Sequence, residues 1–213
     1  WQSGYRIVSV MQIVLTVILF ITLPLWKINK TQNTADEISE PKKALSLKEI
    51  FAIKGAKSVM ITFFCYCAAE QTTMLWASSY LVNSGFSADA AAKFASMFFI
   101  GITLGRAASG FLTIKFTDTQ MIRAGLVIMA AGIVSMILPL GNTASLVSLV
   151  LIGLGCAPIY PCIIHSTPTH FGADKSQAVI GVQMASAYAG TLAMPPIFGI
   201  IANKISVSLL PFY

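Results

Sequence analysis

The stretch SLVSLVLIGLGCAPIYPCIIHS, residues 145–166, contains no Asp, Glu, Lys or Arg. At about 1.5 Å per residue, a helix of this length spans roughly 30 Å, the thickness of the hydrocarbon core of a bilayer. Because backbone N–H and C=O groups in lipid must be paired within the protein, the run is predicted to be helical. Gly153, Gly155, Pro158 and Pro161 are expected to break that helix, as in the discontinuous helices beside transporter binding sites.

Five other apolar runs are long enough to cross a bilayer. They cover residues 5–26, 58–84, 91–114, 121–140 and 177–202, and the C-terminal SVSLLPFY is expected to begin a truncated seventh span. Hydrophobic residues make up 56% of the chain and charged residues 10%, whereas ordinary soluble domains carry about 25% charged residues. The sequence therefore predicts an all-α, polytopic transmembrane helix bundle with six visible spans.

The net charge of +6 is divided unevenly between the two sides of the predicted spans. One side has ten basic residues, namely Lys27, Lys30, Lys42, Lys43, Lys48, Lys54, Lys57, Lys115, Arg123 and Lys175, and the other has Arg6, Lys93 and Lys204. Cytoplasmic loops of membrane proteins carry such an excess of Lys and Arg, so the bias indicates topology rather than nucleic-acid binding. We expect an integral, multi-pass protein of a plasma membrane, with the bacterial inner membrane as the expected location and the lipid bilayer as its partner.

Residues 27–57 form the longest polar segment, which is charged and poor in aromatic residues. We expect a cytoplasmic linker that ends in a short helix at the membrane surface, because Ser46 and Glu49 have the spacing of a capping box. A simple connecting loop is the alternative. Since the sequence lacks an initial Met and enters a span within a few residues, we expect it to be a piece of a longer membrane protein.

Glu70 is the most informative polar residue within a predicted span. A carboxylate at the bilayer centre costs about 2.5–3.5 kcal/mol, so such a residue usually faces an aqueous cavity or a partner. Gln71 follows it, Tyr66 lies one turn before it, and Trp76 lies further along. Acid, amide and aromatic groups around a cavity at mid-depth suit a polar organic ligand. The alternative is a structural hydrogen bond between helices.

Gln183 and Tyr188 lie near the middle of the last complete span and are candidates for the same cavity. They are about 140° apart on a helical wheel, so one of them is expected to face the cavity and the other to point elsewhere. Hydrogen bonding between helices is the alternative role for each.

Arg106 lies within a predicted span and is surrounded by Gly101, Gly105 and Gly110. The spacing of Gly101 and Gly105 permits close helix approach. The Arg106 head group could reach the cytoplasmic edge, or pair with an acid or a helix C-terminus. We expect a structural or gating role, with direct ligand contact as the alternative.

Enzyme motifs are missing from the sequence. His165 and His170 are the two histidines, the four cysteines lie inside predicted spans without CxxC spacing, and no HExxH, GxSxG or Walker A sequence occurs. We therefore predict neither catalysis nor a metal site, and no cofactor, with a proton as the candidate coupling ion.

Together these features resemble the second half of a major facilitator superfamily transporter, with the spans as that family's helices six to eleven. The entry GYRIV at residues 4–8, the central linker and GLGCAPIYP at residues 153–161 are similar to the fucose-permease-like branch. The segment GRAASGFLTIK at residues 105–115, followed by Arg123, lies where the family repeats its gating motif. Gly110, Leu112 and Lys115 match that motif, whereas Ile114 replaces its acid, and Thr117 and Asp118 replace its following glycine and basic residue.

The resemblance implies two six-helix halves that rock about a central cavity to alternate its access. Residues 1–26 would be the last helix of the N-terminal half, 27–57 the central linker and 58–213 the truncated C-terminal half. The missing N-terminal half and a small-molecule substrate are the implied partners, and proton-coupled sugar uptake is the implied function. Efflux of drug-like compounds is the alternative, and an intramembrane enzyme or a channel subunit is more remote. The branch's acidic coupling residues lie in the missing half, so Glu70 is a candidate from its own position alone.

Overall fold

The computed structural model describes residues 2–23, 45–138 and 141–213. The end of the first predicted span at residues 24–26 and most of the predicted linker lie outside these residues. Every regular element within them is helical, which confirms the all-α class. The elements are α1 (Gln2–Thr22), α2 (Leu47–Ala52), α3 (Ala56–Asn83), α4 (Ala88–Ala95), α5 (Met97–Leu112), α6 (Asp118–Ile137), α7 (Asn142–Cys156), α8 (Ile159–Phe171), α9 (Ala173–Lys204) and a 3-10 helix (Val207–Phe212).

Five helical stretches are long and apolar enough to cross a membrane. They are Gly4–Thr22, Ala88–Leu112, Asp118–Ile137, Thr143–Phe171 and Ala173–Lys204, so that α4 with α5, and α7 with α8, each form one span. α3 has 28 residues, enough for a sixth span, but polar residues 70–73 interrupt its apolar surface. The residues predicted to start a seventh span form the short 3-10 helix. The chain is therefore an integral, multi-pass membrane protein.

The chain divides into two compact units, the first of which runs to Lys43. The described helix of the first unit is α1, which carries apolar residues on all of its faces, the pattern of a helix surrounded by lipid. The second unit contains α2 to α9. All that follows on packing and on the site concerns this second unit.

α7 lies between α5 and α6, and glycines at both interfaces let the helix backbones approach closely. Gly101 and Gly105 of α5 face the backbone of α7 around Leu154, and Gly153 of α7 faces the carbonyl oxygen of Phe98. Small residues of this kind are how membrane helices gain van der Waals contact. The interface therefore has no room for a larger side chain at these positions.

α3 and α9 run parallel and are joined by polar contacts along their length. Ser186 Oγ donates to the Met60 carbonyl at 2.8 Å, and Trp76 Nε1 donates to the Pro195 carbonyl at 3.2 Å. The Trp76 ring also meets the edge of Phe198, with ring centroids 5.4 Å apart. These contacts join α3 and α9 at two levels of the bundle.

A break between α7 and α8 divides the longest apolar run. α7 ends at Cys156, and Pro158, which has no N–H to continue the helix, precedes the first residue of α8. Pro161 lies in the first turn of α8, where a backbone N–H would have no helical acceptor in any case. The carbonyl of Cys156 at the break is thereby available to a side chain of another helix.

Candidate functional site

Glu70 is half-buried near the middle of α3, one helical turn after Tyr66. Its carboxylate lies within hydrogen-bonding reach of the Tyr66 hydroxyl and interacts electrostatically with the Arg106 guanidinium of α5. Tyr66 is buried, and its hydroxyl donates to the Cys156 carbonyl at the helix break at 2.9 Å. The candidate acid is therefore connected through one phenol to the end of α7.

Two more tyrosines complete this group of side chains. Tyr160, at the start of α8, interacts electrostatically with Glu70, Arg106 and Tyr188, and its hydroxyl contacts the Met184 sulfur at 3.1 Å. We name Tyr66, Glu70, Arg106, Tyr160 and Tyr188 the Glu70 cluster. Its members come from α3, α5, α8 and α9.

The Glu70 cluster has a protonation-dependent hydrogen-bond pattern. A phenol has one hydrogen to donate and an oxygen that accepts, whereas an ionised carboxylate only accepts. When Glu70 is protonated, it can donate to the Tyr66 oxygen while Tyr66 donates to the Cys156 carbonyl. When Glu70 is ionised, it competes with that carbonyl for the same hydrogen. Proton binding at Glu70 can therefore change the bond that holds the helix break.

A cavity of about 570 Å3 opens beside Arg106, between α5, α6 and α8. Its wall contains Tyr160 of the Glu70 cluster, and also Asp118 and His165, whose Oδ2 and Nδ1 atoms are 2.8 Å apart. We name it the Asp118 cavity. Its volume lies in the range of small-molecule sites, about 300–1,000 Å3, and its wall carries both signs of charge.

The two candidates on α9 point in different directions. Gln183 is fully buried, and its Oε1 accepts a hydrogen bond from Thr167 Oγ1 of α8 at 3.1 Å. Its Nε2 has no partner among the described residues. Tyr188 is 63% exposed and belongs to the Glu70 cluster. The structure therefore relates Tyr188 to Tyr160 of the cluster, whereas Gln183 is bonded to Thr167 of α8.

The other predicted ligand-binding residues lie apart from the cluster. Trp76 follows Glu70 further along α3 and is held against α9 by its bond to the Pro195 carbonyl. Gln71 is half-buried, next to Glu70 on the adjoining face of α3. Neither side chain is seen to contact the members of the Glu70 cluster within the described part of the chain.

The residues predicted to act in gating do not form one group. Gly101 and Gly105 pack against α7, and Pro158 is buried at the helix break. The wall of the Asp118 cavity contains Arg106, Gly110 and Pro161. Lys115 is exposed just after α5, and Arg123 of α6 lines a different cavity.

Three site residues were not predicted from the sequence. Tyr160 stands between Pro158 and Pro161, so an aromatic residue at a predicted helix break was a signal that could have identified it. Asp118 and His165 are 47 residues apart, and no local pattern relates them. Across the described residues, no group of three or more His, Cys, Asp or Glu side chains is arranged to hold a metal ion.

Comparisons with known proteins show the family to which the chain belongs. A profile of the major facilitator superfamily matches residues 1–195, and the chain belongs to that family, whose members are transporters rather than enzymes. A comparison with curated protein sequences returns no match.

Solved structures of the fucose:proton symporter FucP have a similar fold. A variant of the E. coli protein superposes with a TM-score of 0.73 at 20% identity, and FucP in the outward conformation with 0.74 at 19%. Each match covers 94% of this chain and 50% of the FucP chain, so the chain spans half the length of these structures. The likeness confirms the fold of a major facilitator half.

Proposed function

We propose that the chain is the C-terminal half of a proton-coupled transporter that carries a small polar solute, with sugars as the favoured class. In this assignment α1 is the last helix of the N-terminal half, residues 27–57 are the central cytoplasmic linker and residues 58–213 belong to the C-terminal half. The bacterial inner membrane is the proposed location, because the FucP protein it resembles is from E. coli.

The observation that carries this proposal is the position of Glu70. It is the acidic residue near the middle of α3, with the Tyr66 phenol one turn before it, and it interacts electrostatically with Arg106 of α5 and Tyr160 of α8. An ionisable group inside a membrane bundle usually marks a path for a solute or for protons. The hydrogen bond from Tyr66 to the helix break supplies a physical route from proton binding to helix rearrangement.

The polar character of the cluster supports a hydroxylated solute over an apolar one. Tyr160 and Tyr188 offer aromatic faces for stacking together with hydroxyls for hydrogen bonding, and Arg106 and Glu70 offer charged donors and acceptors. Apolar drug-like compounds would leave these groups without partners, which costs binding energy. The structurally similar FucP is a fucose:proton symporter, and this likeness also favours a sugar as the solute.

The test uses the full-length protein in proteoliposomes, with an imposed pH gradient and a panel of radiolabelled hexoses and pentoses. We expect one sugar to accumulate, and Glu70→Gln to abolish this accumulation while sugar exchange without a gradient persists. Glu49→Gln is the matched control, because it makes the same chemical change at an exposed residue of α2. Gradient-driven accumulation at the wild-type level in Glu70→Gln would remove Glu70 from the mechanism, and extrusion of dyes instead of sugar uptake would favour efflux.

A further inference from the structure

A second cavity lies on the opposite face of α8 from the Asp118 cavity. Its volume is about 460 Å3, and α3, α6 and α8 form its wall. We name it the Arg123 cavity. α8 turns Pro161 and His165 toward the Asp118 cavity and Thr167 and His170 toward this one, so the two spaces are separated by the body of the helix.

The two cavities differ in charge. The Asp118 cavity has a carboxylate in its wall beside Arg106 and His165. The Arg123 cavity contains Lys54 and Arg123 as well as His170, and no Asp or Glu is among the described residues that line it. The charge of its wall is therefore positive at neutral pH from Lys54 and Arg123 alone.

Neutral groups of the same wall add hydrogen-bond donors. Ser58, Thr62 and Thr119 carry hydroxyls, and α3 begins at the cavity with Gly55 as an N-cap that makes no side-chain bond. The first N–H groups of a long helix favour an anion. His170 Nδ1 donates to the Ser166 carbonyl at 2.8 Å.

We propose that the Arg123 cavity binds the phosphate group of an organic phosphate ester, with Lys54 and Arg123 as its charged ligands. Arg presents a planar fork of donors that matches phosphate oxygens, and Lys adds a compact charge. The apolar remainder of the wall, which includes Val59, Ile122 and Phe171, accommodates the organic part of the ester. An anionic lipid and a soluble phosphate ester share this chemistry.

The position of the cavity suits a lipid of the cytoplasmic leaflet. Lys54 and Arg123 belong to the side of the protein that carries the excess of basic residues, which the positive-inside rule assigns to the cytoplasm. The cytoplasmic leaflet is rich in anionic head groups, and basic pockets between transmembrane helices on that side bind them. The proposal is independent of the transported solute, because this cavity lies across α8 from Tyr160 and the Asp118 cavity.

The test measures the thermal unfolding of the full-length protein in neutral detergent during titration with phosphatidylglycerol, phosphatidylcholine or inorganic phosphate. The variant Lys54→Gln/Arg123→Gln removes both proposed ligands. Lys48→Gln/Lys57→Gln is the control, since it removes the same charge from exposed residues at the same end of the bundle. Arg123→Lys keeps the charge and removes the fork.

We expect phosphatidylglycerol to raise the melting temperature of the wild type and of the control pair. For the Lys54→Gln/Arg123→Gln variant, we expect apparent affinity on the order of 10- to 30-fold weaker, with an intermediate loss for Arg123→Lys. A shift with inorganic phosphate but not with lipid, lost in the same variant, would support the site and assign it to a soluble ester.

Equal weakening in both double variants would overturn the proposal, because it would show general attraction to negative charge. If neither phosphatidylglycerol nor inorganic phosphate raises the melting temperature, the proposal is overturned as well. If the double variant does not fold, Lys54→Gln alone is compared with Lys48→Gln, since both residues are exposed and outside the long helices. Equal affinities of these two single variants would then count against the site.

Discussion

The α5–α7 interface and the Glu70 cluster belong to the same bundle but consist of different groups, namely closely packed backbone in the first and charged and phenolic side chains in the second. At the interface, backbones meet across Gly101, Gly105 and Gly153, with no charged side chain between them. In the cluster, a carboxylate, a guanidinium and phenols meet beside a helix break. The first region depends on volume and the second on protons and charge. A substitution that adds one methyl and a substitution that removes one oxygen should therefore affect them very differently.

The largest expected effect is on the interface, from Gly153→Ala. An added methyl there would overlap the carbonyl oxygen of Phe98, so that the two helices must separate. Overpacking of this kind costs about 1–3 kcal/mol. We expect the free energy of unfolding of the full-length protein in detergent to fall by that amount.

Gly181→Ala is the control for this prediction, because nothing lies within 4 Å of a methyl at Gly181 of α9. It makes the same change in a helix interior, where Ala is about 0.5–1 kcal/mol more favourable than Gly in water. We expect its stability to equal or exceed that of the wild type. Equal effects of the two substitutions would show that helix propensity, and not close packing, controls the interface.

A smaller effect is expected in the cluster, from Tyr66→Phe. The ring remains and the volume hardly changes, but the Cys156 carbonyl loses the hydroxyl that donates to it at 2.9 Å. The net loss of a buried hydrogen bond is about 0.5–1.5 kcal/mol. We expect that loss of stability, together with a change in the pH dependence of transport, since the phenol also contacts Glu70.

Tyr5→Phe, at an exposed tyrosine of α1, serves as the control for the loss of a phenol hydroxyl. It should leave both stability and the pH profile unchanged. A Tyr66→Phe variant that loses stability but keeps the wild-type pH profile would restrict Tyr66 to a structural role. The comparison between the two regions would then rest on Glu70 and Arg106 alone.

The fold was predictable because lipid leaves few choices for an apolar run. The run at residues 121–140 became α6, Asp118–Ile137, with a start three residues earlier because Thr117 and Gln120 form a capping box. The prolines at residues 158 and 161 predicted the position of the break between α7 and α8. These features are local in sequence, so a single sequence contains the information for them.

The cluster was only partly predictable, because it depends on how each helix is rotated against its neighbours. The helical wheel put Gln183 and Tyr188 on different faces of α9 but did not show what each face contacts. The packing of α9 decides that, since Gln183 accepts a hydrogen bond from Thr167 of α8. Trp76 was grouped with Glu70 because both lie on α3, yet its indole bonds to Pro195. Asp118 reaches His165 across 47 residues, a relation that no periodicity expresses.

The smallest expected effect concerns α2, where a polar interaction is fully exposed and neither volume nor burial is at stake. The Ser46 backbone N–H donates to Glu49 Oε2 at 2.7 Å, and this bond holds the pKa of the Glu49 carboxyl below its usual value. Because the folded pKa is the lower one, the capping interaction is complete above the ordinary Glu pKa, about 4.3, and is lost as the pH falls through the folded value.

An NMR titration of the Ser46 amide proton in detergent micelles measures this directly. We expect its chemical shift to titrate with a midpoint below that of a glutamate in an unstructured peptide, while global unfolding is unaffected because α2 has only six residues. Glu49→Gln should abolish the titration without changing the shifts of α3. A midpoint at or above the peptide value would mean that the capping hydrogen bond does not form in solution. This exposed polar contact would then contribute nothing to stability, in contrast to the interface and the cluster.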